Sequence, residues 1–346
     1  MLPKAIFMSV WDPRRGPMLI GQYPADYEID RDRLLDFLGM ALRQGEAAHF
    51  SEVEVGGENA IVYYTGMQTR MCFGAIIDED DDVDALRGAI VRSVVDIIMR
   101  GTVPRSMEEW GRLYEKITLY MKMPVEEKMG ELFCDPFVVR LYSVLLDLGI
   151  VRQDFLLSSL GIIHGDKEED LLRAYIEILS SLGVVQIYRD EESMREYVFL
   201  IRDVVVLRRK PKLFREISSI ISAYDDEYSD YIMRYLENKA WRDEQDILAR
   251  VFSDPQFYKV LKILRERGVI PIEEARDGGI APQLELLETI DVCRKGDNIY
   301  YMFTDIAIVK MFPKYSIYKC LQQYAAGVLS GKEVRSYLEA IKKSYL

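Results

Sequence analysis

Residues 5–23 read AIFMSVWDPRRGPMLIGQY, an apolar run, a Pro-Arg-Arg-Gly-Pro interruption and a second apolar run. Residues 5–10 and 18–23 are rich in strand-forming side chains. A Pro/Gly-rich turn between two such runs reverses the chain, so the stretch predicts an opening β-hairpin. Next, in YPADYEIDRDRLLDFLGMALRQG (23–45), Leu34, Leu35, Leu38 and Leu42 recur at helical spacing and Gly45 supplies a stop. In HFSEVEVGGENAIVYYTGMQTRMCFGAII (49–77), breaks at Gly56-Gly57 and Thr65-Gly66 divide the run into three antiparallel strands. The acidic run DEDDDVD (78–84) leads into VDALRGAIVRSVVDIIMRG, where Leu86, Ile90, Val94 and Ile97 form one helical stripe. A further amphipathic helix starts at Ser106, where Ser106 and Glu109 have the Ser-x-x-Glu spacing of a capping box.

The second half repeats itself. DPFVVRLYSVLLDLGIV (135–151) and DPQFYKVLKILRERGVI (254–270) align without a gap, with Asp135/Asp254, Pro136/Pro255, Leu145/Leu264 and Gly149/Gly268 identical. Each copy is a helix opened by Asp-Pro and closed by Gly, with more helix after it. Each half ends in a hairpin-like run, at 184–200 and 290–303. Helices followed by a two-stranded wing describe a winged-helix domain, so two are expected. A polar, Tyr-rich helical connector is expected between them.

The totals narrow the function. At 346 residues the chain has room for two or three domains, and its 49% apolar and 29% charged residues are ordinary for a soluble protein. No run approaches the ~18 apolar residues that span a bilayer. The first residues read as a strand and lack the cleavage site of a signal peptide, so a cytoplasmic location is expected. A net charge of −12 argues against a nucleic-acid binder. Cys72, Cys134, Cys293 and Cys320 form no Cys-x-x-Cys pair, and with only His49 and His164 beside them no local zinc site assembles. The cysteines read as buried, inert thiols, and no metal or cofactor is expected.

The strand and helix order of residues 4–122 resembles a longin domain, a small fold on which GTPases dock. The opening narrows the resemblance. An aromatic-bearing strand, then Asp12-Pro13-x-x-Gly16-Pro17, then a strand closing on Tyr23-Pro24, is similar to the start of nitrogen-permease-regulator-2-like proteins. Those are the longin-bearing subunits of the GATOR-type complex that acts on Rag GTPases, and they carry winged-helix segments after the longin domain. The expected fold is therefore α+β. It comprises a longin-like domain over 1–123 with a five-stranded antiparallel sheet, a winged-helix domain over 124–210, the connector over 211–253 and a second winged-helix domain over 254–346.

The resemblance also implies a chemistry. In that family an arginine ahead of the strand that follows the central hairpin serves as an arginine finger, and Arg70 occupies that place here. The preceding loop, 65–69, lacks the basic residues of its family counterpart. A guanidinium supplied in trans to a GTPase offsets charge developing on the transferred phosphoryl, an effect worth ~10³–10⁵ in rate. Arg14 and Arg15 at the hairpin tip, with Met67 and Gln68 in the loop before Arg70, are the expected partner-binding residues. Partners implied are a small Ras- or Rag-like GTPase and a second longin- or roadblock-type subunit, with peripheral membrane contact compatible.

No active site of the chain's own is visible. It lacks a G-x-x-x-x-G-K-[ST] loop, a G-x-S-x-G elbow and a nucleophile with a nearby histidine. DEDDDVD lacks the glycine and closing glutamate of a calcium loop, and reads as a charged helix start. The alternatives are a non-catalytic scaffold subunit and a winged-helix transcription regulator. Against the latter, KEEDLLRAYIEILSSLG and APQLELLET carry more acid than base, and only Arg208–Lys212 (RRKPK) argues for DNA.

Overall fold

Side chains alternate across a strand, so an apolar strand with two buried faces needs cover on both. The computed structural model describes residues 2–12, 14–27, 32, 34–35, 38–39, 48–55, 58–66, 69–78, 81–133, 135–162, 167–190, 195–209, 255–267, 270–279, 290–295, 298–303 and 305–345. Its N-terminal part is a five-stranded antiparallel sheet formed by β1 (Ala5–Asp12), β2 (Gly16–Tyr23), β3 (His49–Val55), β4 (Glu58–Tyr64) and β5 (Met71–Ile77). The strand order is β2-β1-β5-β4-β3. The hairpin is longer than the sequence predicts, because Asp12 still pairs with Gly16. The Asp12 carboxylate makes the turn, accepting the N–H groups of Arg14 and Arg15 at 2.8 Å each, and Gly16 takes φ 78.

One sheet face carries Phe7, Val53, Val62, Tyr64, Cys72 and Ile76, covered by Leu34 and Leu38 from a segment whose described residues are helical. Leu35, expected on the same stripe, is exposed instead, and Leu42 lies outside the described residues. On the other face, α1 (Val83–Arg100) packs on β4 and β5. Leu86, Ile90, Val94 and Ile97 are buried as the periodicity predicts, but so are Ala89, Val91 and Val95. The wider burial has a cause in α6 (Lys167–Ser181), which lies along the far side of α1. A Cβ on Gly88 would stand 2.8 Å from the Ser181 hydroxyl.

α2 (Met107–Lys122) starts with the predicted capping box: the Ser106 hydroxyl accepts the Glu109 N–H at 3.2 Å, and Glu109 returns to the Ser106 N–H at 3.3 Å. It crosses β2 through Trp110, whose ring fills the space over Gly21, and through Tyr114, whose hydroxyl donates to the Pro3 carbonyl at 2.8 Å. The acidic run also becomes helix start. Asp82 caps α1 by accepting the Ala85 N–H at 3.0 Å, and Asp81 accepts the Asp78 N–H at 2.9 Å.

The chain divides into two compact units that do not follow chain order. The first comprises residues 1–123, 140–203 and 312–346; the second comprises 124–139 and 204–311. Over the described residues both copies of the repeat share a helix, a short strand, a second helix and a hairpin, and residues 280–289 of the second copy lie outside them. The first copy runs α4 (Pro136–Leu148), β6 (Ile150–Arg152), α5 (Gln153–Leu160), α6, β7 (Val185–Arg189) and β8 (Glu196–Leu200), giving a sheet ordered β6-β8-β7. The second runs α7 (Pro255–Arg267), β10 (Ile270–Pro271), α8 (Ile272–Asp277), β11 (Ile290–Lys295) and β12 (Asn298–Phe303), with the sheet ordered β10-β12-β11. In each, the short strand after the first helix pairs with the second strand of the hairpin. The Asp-Pro opening works as expected at Asp135, whose carboxylate accepts the Phe137 N–H at 2.9 Å. The expected connector over 211–253 lies outside the described residues.

In the first unit, α9 (Lys314–Ala325) and α10 (Gly331–Tyr345) return to the first repeat. Tyr337, Ala340, Ile341 and Cys320 join Ile150, Tyr197, Phe199 and Ile201 in one core, where burying Phe199 contributes roughly 1.5–3 kcal/mol. The Tyr337 hydroxyl donates to the Leu200 carbonyl at 2.7 Å, and the Ser316 hydroxyl donates to Asp203 at 2.6 Å. In the second unit, α3 (Val125–Phe133) is tied to α7. Arg265 forms a two-pronged pair with Glu126 at 3.0 Å, and Lys262 pairs with Glu127 at 2.6 Å. β9 (Asp203–Arg209) and β13 (Asp305–Met311) pair as a two-stranded sheet. Among the described residues no helix is long and apolar enough to cross a membrane.

Candidate functional site

Antiparallel pairing brings the end of β1 beside the start of β5, with Val10 opposite Met71. The hairpin tip and the loop before β5 therefore share one end of the sheet. The loop is closed by Thr65, which is almost fully buried. Its N–H donates to the Met71 carbonyl at 3.0 Å, and its hydroxyl oxygen accepts the Met71 N–H at 3.1 Å. The Thr69 hydroxyl lies 2.5 Å from that of Thr65. Gly66 turns the chain at φ 102, a conformation open to glycine alone at little cost.

Arg70 leaves this loop in the left-handed region at φ 49, the one non-glycine residue with positive φ among those described. For an L-residue that conformation costs roughly 1–2 kcal/mol. Two hydrogen bonds hold it: the Arg70 N–H donates to the Gly66 carbonyl at 2.9 Å, and the Arg70 carbonyl accepts the Trp11 N–H at 3.0 Å. Arg70 is half-buried. Arg14 and Arg15 are exposed at the hairpin tip, and the N–H groups they donate to Asp12 hold its carboxyl below the usual range. The sequence-predicted residues Arg14, Arg15 and Arg70 thus lie at the same end of the sheet. Met67 and Gln68 lie outside the described residues.

Asp170, in the first turn of α6, has no warning in the sequence at this site. Its Oδ1 lies 2.6 Å from where a Cβ on Gly66 would stand, and the Thr69 hydroxyl donates to its Oδ2 at 3.5 Å. Burial, reinforced by the neighbouring Glu169 charge, pushes its carboxyl up to about 6, against the pull of Arg173 and Thr69. Arg173 spans Glu169 at 3.2 Å and Glu196 at 3.4 Å. Glu177, two turns along α6, is pushed up to about 7 by burial, with the Arg87 charge opposing and Glu196 adding. An acidic first turn reads from sequence only as a match to the helix dipole. Nothing in the spacing of Thr69 and Asp170 signals that they meet.

The sheet end thus carries Arg14, Arg15 and Arg70 together with Asp12 and, from α6, Asp170, with Arg70 on a fixed backbone. Cys72 and Cys320 are buried free thiols, with burial raising both and bringing Cys320 to about 11. Among the described residues no group of three or more His, Cys, Asp or Glu side chains converges as metal ligands would. Compared with family models, curated proteins and solved structures, the chain matches none of them.

Proposed function

We propose that this chain regulates a small Ras- or Rag-like GTPase, docking it on the sheet end that carries Arg14, Arg15 and Arg70 and stimulating hydrolysis through Arg70. The N-terminal sheet with its helices is read as a longin domain, and the two repeats as winged-helix domains of a nitrogen-permease-regulator-2-like protein. The observation that carries the reading is the left-handed backbone of Arg70, held from both sides by Gly66 and Trp11. Backbone held in a sparsely populated region marks functional sites. A finger also needs a guanidinium whose base does not have to reorganise when charge develops.

A non-catalytic scaffold is the second reading, favoured by the half-burial of Arg70. DNA binding is the poorest of the three. α6, the helix that would enter a groove, is packed against α1 and carries Glu168, Glu169 and Asp170 in its first turn.

The test is single-turnover GTP hydrolysis by purified Ras-, Rag-, Rab- and Arf-type GTPases with and without the full chain. Acceleration of about a thousandfold or more by one class is expected, lost with Arg70→Ala and Arg70→Lys. Binding to the GDP–aluminium fluoride form with no acceleration establishes the scaffold. Absence of binding to any class overturns both.

A further inference from the structure

The last two helices carry a surface that the fold leaves unused. Residues 312–346 hold six Lys and Arg against two Glu, in a chain of net charge −12, and of the six Lys332 is paired with Asp190 at 2.8 Å. Ser316 and Cys320 bury one side of α9. Its other sides expose Tyr315, Tyr318, Leu321 and Tyr324 at 44–58%, and Val328 beyond it is 69% exposed. Single exposed apolar residues are ordinary, but a continuous group of them with tyrosines is the composition of a binding surface. Beside it, α9 and α10 form a groove of about 480 Å³ lined by Tyr324, Val334 and Leu338, with Arg335, Lys342 and Glu339 along it.

We propose that this groove docks an acidic amphipathic helix from a partner protein. A stripe of leucines at i, i+3, i+4 and i+7 seats against Tyr324, Val334 and Leu338, and its flanking carboxylates face Arg335 and Lys342. The charge chooses the occupant. Along the groove Arg335 and Lys342 stand against Glu339, so a second copy of the same face brings the same cationic excess and is repelled, whereas carboxylates set opposite Arg335 and Lys342 are attracted and steered. The inference is independent of the GTPase reading.

The probe is a fluorescein-labelled synthetic helix with Leu on that stripe and Glu elsewhere, titrated with the full chain by anisotropy. Saturable binding is expected, about tenfold or more tighter than for a peptide of the same composition with the leucines scrambled. Leu338→Asp, and separately Arg335→Glu with Lys342→Glu, should each weaken it about tenfold or more. All three residues are exposed, so thermal melts should stay unchanged. Equal binding of the scrambled peptide, or no binding, overturns the proposal. So does retention on phosphatidylserine vesicles through the same residues without competition by the peptide. A mass that grows with concentration and falls back in Leu338→Asp makes the occupant a second copy, which also overturns it.

Discussion

The Trp11 N–H donates to the Arg70 carbonyl at 3.0 Å, so the opening hairpin fixes the residue that carries the proposed chemistry. Because Arg70 sits at φ 49, the identity of its replacement matters. Arg70→Gly relieves the left-handed strain, while Arg70→Ala keeps it. The glycine variant should be more stable than the alanine variant by about 1 kcal/mol in urea denaturation, after the extra freedom glycine gives the unfolded chain. Equal midpoints would mean that the backbone strain is not real.

A second relationship sits in the sheet. Phe7 lies directly across from Gly74, and a Cβ on Gly74 would stand 2.2 Å from the tip of the Phe7 ring. The ring occupies the place of the missing side chain, and it is fully buried. Gly74→Ala should cost about 2–3 kcal/mol by overpacking. Combined with Phe7→Leu, which ends short of the clash, the two losses should sum to less than their separate values. Additive losses in denaturant melts would contradict this geometry.

How much of this was legible in the residues depends on the distance over which each feature acts. The hairpin at 5–23, the capping box at Ser106 and the Asp-Pro opening at Asp135 are local, and their chemistry lies within a few residues. The repeat also declared itself, because two hairpins at matching positions are a pattern and not a contact. The return of α9 and α10 to Phe199 and Tyr197 was not legible, since Tyr337 reads as an ordinary apolar-face residue whichever sheet it covers. Asp170 was missed for the same reason. Arg70 was found by resemblance, but its left-handed backbone follows from hydrogen bonds to Gly66 and Trp11, and no propensity predicts that for arginine.

The buried carboxyls of α6 set a pH dependence. Asp170 is raised to about 6 and Glu177 to about 7, both by burial, and Asp203 is raised as well. The groups facing Asp170 are Glu169, Arg173 and Thr69, and those facing Glu177 are Arg87 and Glu196. The folded state keeps these protons while the unfolded chain has already released them, so stability falls as pH rises from about 4 to about 7. The lowered carboxyls, Asp12, Glu109, Asp154, Glu274 and Glu333, lose their contribution only below about pH 4. The urea midpoint should therefore be higher at about pH 5 than at about pH 8. Asp170→Asn with Glu177→Gln should flatten the difference; an unchanged slope would count against these two groups as its source.

The contact between Gly66 and Asp170 can be separated into its parts. Gly66→Ala suffers twice: φ 102 strains any residue with a Cβ, and that Cβ would stand 2.6 Å from the Asp170 carboxylate. Together these should cost about 2–4 kcal/mol. Asp170→Ala removes the steric part, and it also takes away a buried charge, so alone it should be close to neutral or stabilising at about pH 8. The double variant should then recover about 1 kcal/mol or more relative to the sum of the singles, leaving the backbone strain behind. The same variants report on the site. If the loop is held against α6 to present Arg70, Asp170→Ala should slow the accelerated GTP hydrolysis less than Arg70→Ala, and Gly66→Ala should slow it more than its stability loss accounts for. Hydrolysis that ignores Gly66→Ala would mean that the loop's shape has no part in presenting the arginine.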